Sequence, residues 1–95
     1  MNDSPVSTRV VLVDDHELIR QGLARAFERD PSMEIVGQAA SVVQALAAYE
    51  ELRPDVVVTD LQLPDGTGLD VIRSIRQQNA EIGRASCRER VFITV

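Results

Sequence analysis

The chain has 95 residues, 44% of them hydrophobic and 26% charged, a composition that fits one small globular domain and excludes a disordered segment. A formal net charge of −5 argues against nucleic-acid binding through a basic face, and the absence of a long apolar run argues against a membrane span. The polar start, MNDSPVSTR, lacks the apolar core of a secretory signal, and the single Cys87 cannot close an internal disulfide, so a cytoplasmic protein is the simplest expectation. Every basic residue is an arginine.

Arg9–Val13 (RVVLV) is apolar on both faces and rich in β-branched residues, as in a strand of a parallel sheet. From His16 to Arg29 the period changes. Ile19, Leu23, Ala26 and Phe27 recur at helical spacing, with Arg20, Arg25, Glu28 and Arg29 on other faces. Asp30-Pro31-Ser32 ends that helix. MEIVGQA, residues 33–39, reads as a short second strand. Ser41 is placed to cap a second helix whose stripe is Val42, Ala45, Leu46, Tyr49 and Leu52, and Arg53-Pro54 stops it. DVVVTD, residues 55–60, is a third strand, again apolar on both faces. The loop LQLPDGTG leads to a third helix, with Leu69, Ile72 and Ile75 expected inward and Arg73, Arg76 and Gln77 outward.

Residues 9–78 therefore alternate β-α-β-α-β-α, the pattern of an α/β doubly wound parallel sheet. In such sheets ligands bind beyond the carboxyl ends of the strands, where the strand order reverses. The first strand ends at Asp14-Asp15 and the third at Asp60. If the first strand lies between the other two, three carboxylates converge. Like charges that close disfavour joint ionisation, and a hard divalent cation with oxygen ligands resolves the conflict. Carboxylates that hold a cation beside a carboxylate nucleophile form a phosphoryl-transfer arrangement.

Taken singly, these residues have plainer readings. An aspartate at a strand end is often a helix cap, and Pro64-Asp65-Gly66 alone is a turn. Asp55, Asp65 and Asp70 are read as solvated, and His16 as a surface or capping residue. The combination lifts the acids above those readings. Two function classes stay open: a phosphoacceptor signalling domain, and a Mg²⁺-dependent phosphohydrolase with an aspartyl nucleophile. The second usually wants D-x-D after the first strand, where this chain has adjacent acids. Nucleotide binding is weaker still, because no glycine-rich loop follows that strand.

VVLVDDHELIRQGL and PDVVVTDLQLPDGTGLDVIRSIR resemble the receiver domain of bacterial two-component response regulators. The likeness is strongest to the subfamily with a C-terminal LuxR-type helix-turn-helix. It covers residues 9–80 and implies a flavodoxin-like fold, here truncated to about three βα units with strand order 2-1-3. It implies a signalling domain and not an enzyme. Asp60 would be the phosphoacceptor, served by a sensor histidine kinase. Asp15, Asp60 and the backbone carbonyl of Gln62 would bind Mg²⁺, with Asp14 reaching it through water. Pro64 and Gly66 would shape the loop after the acceptor. DNA would be contacted only through a C-terminal domain absent here, and no membrane is implied.

The family also has a Thr or Ser ending its fourth strand and a Lys ending its fifth. This chain contains no Lys; Thr94 is its one candidate for the former, on the competing reading that VFITV is a true fourth strand of the family. Residues 1–8 read as an N-terminal tail and 81–95 as a segment of different origin. Back-translated in one frame, EIGRASCRERV fits a widely used short-read sequencing adapter. An index of the usual length would then encode Phe92, Ile93 and Thr94, and the adapter's next codons would read Val95 and a stop. On that reading Cys87, Arg84, Arg88 and Arg90 carry no function. Without a fourth strand, VVVT is expected to be an open apolar edge and the fold marginal.

Overall fold

The structure is a computed structural model that describes residues 8–82 and 90–94, with side-chain surroundings given for 8–78. Its elements are β1 (Thr8–Val13), α1 (Glu17–Glu28), β2 (Met33–Ala39), α2 (Val42–Leu52), β3 (Val56–Asp60), β4 (Gln62–Leu63), β5 (Gly66–Thr67), α3 (Gly68–Ile82) and β6 (Arg90–Thr94). β2, β1, β3 and β6 form one parallel sheet in that order, and β4 pairs with β5 as a small antiparallel hairpin. The order 2-1-3 is as expected. The open edge expected at β3 is not found: β6 covers it, with Val56 opposite Arg90 and Asp60 opposite Thr94. A run of apolar, largely β-branched residues pairs with an open apolar edge of the same kind, which is what such runs do.

Strands that are apolar on both faces need cover on both. Val10, Leu12, Val56 and Val58 face α1, against Leu23, Ala24, Phe27, Met33 and Ile35. Val11, Val13 and Val57 face the other way, packed with Ala45 and Tyr49 of α2 and Val71 and Ile75 of α3. At about 25 cal/mol per Å² of apolar surface, burying each of these side chains stabilises the fold by roughly 1.5–3 kcal/mol.

The helix starts and stops follow local chemistry. Ser41 Oγ accepts the Gln44 N–H at 3.1 Å, and Gln44 Oε1 accepts the Ala40 N–H at 2.9 Å. Arg53 closes α2 in the left-handed region at φ 47°, its N–H on the Tyr49 carbonyl, before Pro54. Two helical stripes differ from expectation. On α3 the buried side chains among the described residues are Val71 and Ile75, while Leu69 is 48% exposed and Ile72 half-buried. On α1, Leu23 and Phe27 pack on the sheet, but Ile19 is 49% exposed and Ala26 lies outward. In both cases a helix that rests on a sheet buries a narrower stripe than its apolar residues could fill.

Candidate functional site

Val13 pairs with Thr59, so β1 and β3 end level with each other. The residues that follow, Asp14-Asp15 on one strand and Asp60 on its neighbour, therefore meet. Asp14, Asp15, His16 and Asp60 each offer a ligand atom, and these atoms all lie within 4.8 Å of one another. Asp15, His16 and Asp60 border an open depression of about 530 Å³, lined further by Leu61, Gln62, Leu63 and Pro64.

Each acid is held differently. Asp14 is buried. Its N–H continues the ladder to the Ala39 carbonyl at 3.0 Å, and its Oδ1 accepts the His16 N–H at 2.8 Å in a tight Asx-type turn. Asp15 is exposed and faces the depression. Asp60 Oδ1 accepts the Leu61 N–H at 2.7 Å, which fixes the carboxylate plane. The chain then turns through the β4–β5 hairpin, and the Gly68 N–H returns to the Leu61 carbonyl at 2.9 Å. Only glycine fits there, because a Cβ on Gly68 would stand 2.5 Å from the Asp60 carbonyl oxygen.

Two residues that matter here were not singled out by spacing. His16 occupies the N-cap position of α1 but makes no side-chain cap bond. Its Nδ1 lies 2.9 Å from Asp14 Oδ1 and 3.1 Å from Asp15 Oδ1. The hydrogen bond to Asp14 and then the charge of Asp15 raise its pKa above 6.5, against a smaller opposing cost of desolvation. Its place beside two acids in sequence was the available signal. Arg20, one turn further on, sends Nη1 to the Asp14 carbonyl at 2.6 Å and Nε to Gln38 Oε1 at 3.2 Å.

The outlying acids are not merely solvated, as was expected. Asp55 Oδ2 accepts the Arg9 N–H at 3.0 Å, and Asp70 Oδ2 accepts the Thr67 N–H at 3.0 Å. Asp65 bonds the Val42 and Val43 N–H groups at 2.7 and 3.1 Å, so the turn after the acceptor caps α2. Gln62 and Pro64 line the depression, and a Cβ on Gly66 would meet the Asp70 carboxylate at 2.8 Å. Thr94 sits at the end of β6 in register with Asp60; its side chain, and Cys87 with the arginines at 84 and 88, lie outside the described residues.

Three carboxylates and an imidazole at this spacing fit a divalent cation, and the three acids supply the oxygen donors that a hard one prefers. A parallel sheet of this order, with an acidic cluster at the ends of β1 and β3, is the arrangement expected of a receiver. Residues 10–87 match the response regulator receiver domain family, and the chain belongs to it. The DNA-binding transcriptional activator DevR/DosR of Mycobacterium tuberculosis is 46% identical over 67 residues, 70% of this chain and 31% of its own length. A protein-glutamate methylesterase/protein-glutamine glutaminase 2 of Koribacter versatilis is 37% identical over 78 residues, 82% of this chain and 21% of its own length. The crystal structure of a LuxR-family two-component response regulator from Aurantimonas sp. SI85-9A1 has a TM-score of 0.79 at 38% identity, covering 92% of this chain and 57% of that one. The chain thus spans less than a third of the length of these two curated relatives. No helix among the described residues is long and apolar enough to cross a membrane.

Proposed function

We propose that this chain is the phosphoacceptor module of a cytoplasmic transcriptional response regulator, and that Asp60 receives a phosphoryl group from the phosphohistidine of a sensor histidine kinase. The observation that carries this reading is the convergence of Asp14, Asp15 and Asp60 at the carboxyl ends of β1 and β3. Asp15, Asp60 and the Gln62 backbone carbonyl would hold Mg²⁺, with Asp14 reaching it through water. Bound there, Mg²⁺ would neutralise the phosphoryl oxygens. In the transfer a carboxylate oxygen of Asp60 forms a bond to phosphorus as the P–N bond to the kinase imidazole breaks, and the bonding pair stays on the ring nitrogen. The Leu61 N–H holds Oδ1 and so sets the direction of the other oxygen. Pro64 and Gly66 shape the loop that follows. DNA would be reached through a LuxR-type domain outside this chain.

In the full-length protein, Asp60→Asn should abolish labelling by a small acyl phosphate in the presence of Mg²⁺. Retained labelling would remove Asp60 as the acceptor, and turnover of a phosphomonoester by the unmutated protein would favour the hydrolase instead.

We further infer that residues 81–95 derive from sequencing adapter and that the family's phosphate-sensing hydroxyl and Lys lie in the true continuation. The adapter frame accounts for eleven successive residues, Glu81 to Val91. Pairing of β6 with β3 is neutral on this point, since an apolar β-branched run pairs with an open edge whatever its origin. Thr94 then stands opposite Asp60 by accident of the index, and phosphoryl transfer to the 95-residue chain is slow or absent. Source DNA read across codon 80 with adapter-free primers should depart from this tail; genomic DNA that encodes GRASCRERVFITV would contradict the inference.

A further inference from the structure

We propose that Arg20 is the positioning residue of the carboxylate cluster: its guanidinium fixes the peptide plane between Asp14 and Asp15 and so aims the Asp15 carboxylate at the site. The inference rests on the reading of Asp14, Asp15 and Asp60 as one cation site.

The argument starts from what holds Asp15. Asp14 has local anchors, namely its N–H on Ala39 and its Oδ1 on the His16 N–H. Asp15 is exposed, and its carboxylate has His16 Nδ1 as its ion-pair partner among the described residues. Its direction is therefore set mainly by its backbone. The Asp14 carbonyl and the Asp15 N–H belong to one rigid planar unit, so fixing the carbonyl fixes where the Asp15 Cα–Cβ bond begins. That carbonyl lies beyond the last β1 residue and before the first turn of α1, where no ladder or helix bond claims it. Arg20 Nη1 claims it at 2.6 Å.

Arg20 is suited to the task. Its N–H on the His16 carbonyl places it one turn into α1, above the strand end. The guanidinium is a planar fork: one arm takes the Asp14 carbonyl and the other takes Gln38 Oε1, next to Ala39 on β2. The β1–α1 turn is thus tied to the neighbouring strand. Among the described residues the Arg20 guanidinium makes no ion pair with a carboxylate, so its contacts are those of a brace and not of a counter-charge.

That distinction gives the test its sign. Removing a positive charge beside three acids should tighten cation binding if charge is all that Arg20 supplies. Removing a brace should loosen it. Mg²⁺ is titrated into the full-length protein and followed through backbone amide shifts at 14–16 and 60–62. Arg20→Gln should weaken Mg²⁺ affinity about tenfold, the scale of an outer-shell loss, and Arg20→Lys should not restore it although the charge is kept. Gln38→Ala, an exposed change that leaves charge untouched, should weaken binding in the same direction by less. It keeps the test decisive if Arg20→Gln loses amide dispersion. Unchanged or tighter binding in Arg20→Gln, or full rescue by Arg20→Lys, would overturn the proposal while leaving the cation site standing. No Mg²⁺ response in the unmutated chain would remove the cation site and this inference with it.

Discussion

Gly68 shows how closely the residues around the acceptor are set. It opens α3, bonds back to Leu61, and leaves no space for a side chain against the Asp60 carbonyl. Because that neighbour is backbone and not a flexible side chain, Gly68→Ala must move the end of β3. It should lower stability by about 1–3 kcal/mol, read from the urea midpoint, the usual scale for forcing an extra carbon into a closed space. At this scale the sequence was legible where a residue's partners are close in sequence or at strand ends. Asp14, Asp15 and Asp60 were readable because strand ends in a doubly wound sheet converge. His16 and Arg20 were not, because their roles depend on how the first turn of α1 sits over the end of β1, which periodicity does not specify.

Asp65 belongs to the scale of elements. It lies in the β4–β5 turn but serves α2, accepting the Val42 and Val43 N–H groups that no helix bond satisfies. Those two bonds hold its carboxyl below the ordinary 3.8. A carboxylate with a depressed folded-state pKa contributes stability above the unfolded value and loses it as pH falls through the folded one. Thermal melts should therefore fall below pH 3.8 in the unmutated chain, and Asp65→Asn should be less stable at neutral pH with a shallower acid-side slope. Asp30, lowered by the Ser32 hydroxyl and N–H, supplies part of the remaining slope. An Asp65→Asn melt with an unchanged acid limb would sink this account. The elements themselves were largely readable: MEIVGQA is β2 to the residue, and Ser41 caps α2. The phase of α3 was not. Leu69, Ile72 and Ile75 make a plausible stripe on paper, but the hairpin before the helix sets its rotation and turns Val71 and Ile75 inward. The bulge in β2 was equally hidden. Met33 and Ile35 face α1, yet Ala39 faces α2 and α3, because the register shifts between Val10 and Val11 and flips the alternation.

Among the described residues, one helix covers one face of the sheet, two cover the other, and the acids collect at the open rim between β1 and β3. The order 2-1-3 followed from the alternation of strands and helices; VFITV could be read as a fourth strand or as part of an adapter-derived tail, and Arg90–Thr94 pairs with β3 as a strand. What the order produces is a site built from three carboxylates on two neighbouring strands, and every functional statement above depends on that convergence. The direct measurement is a Mg²⁺ titration of the full-length protein by backbone amide shifts, with Asp60→Asn beside it. The account predicts shifts confined to residues 13–16 and 59–63 that saturate, and that weaken at least about tenfold in Asp60→Asn, as loss of a direct ligand should. Shifts spread over the other acids, or a response that Asp60→Asn leaves intact, would contradict it.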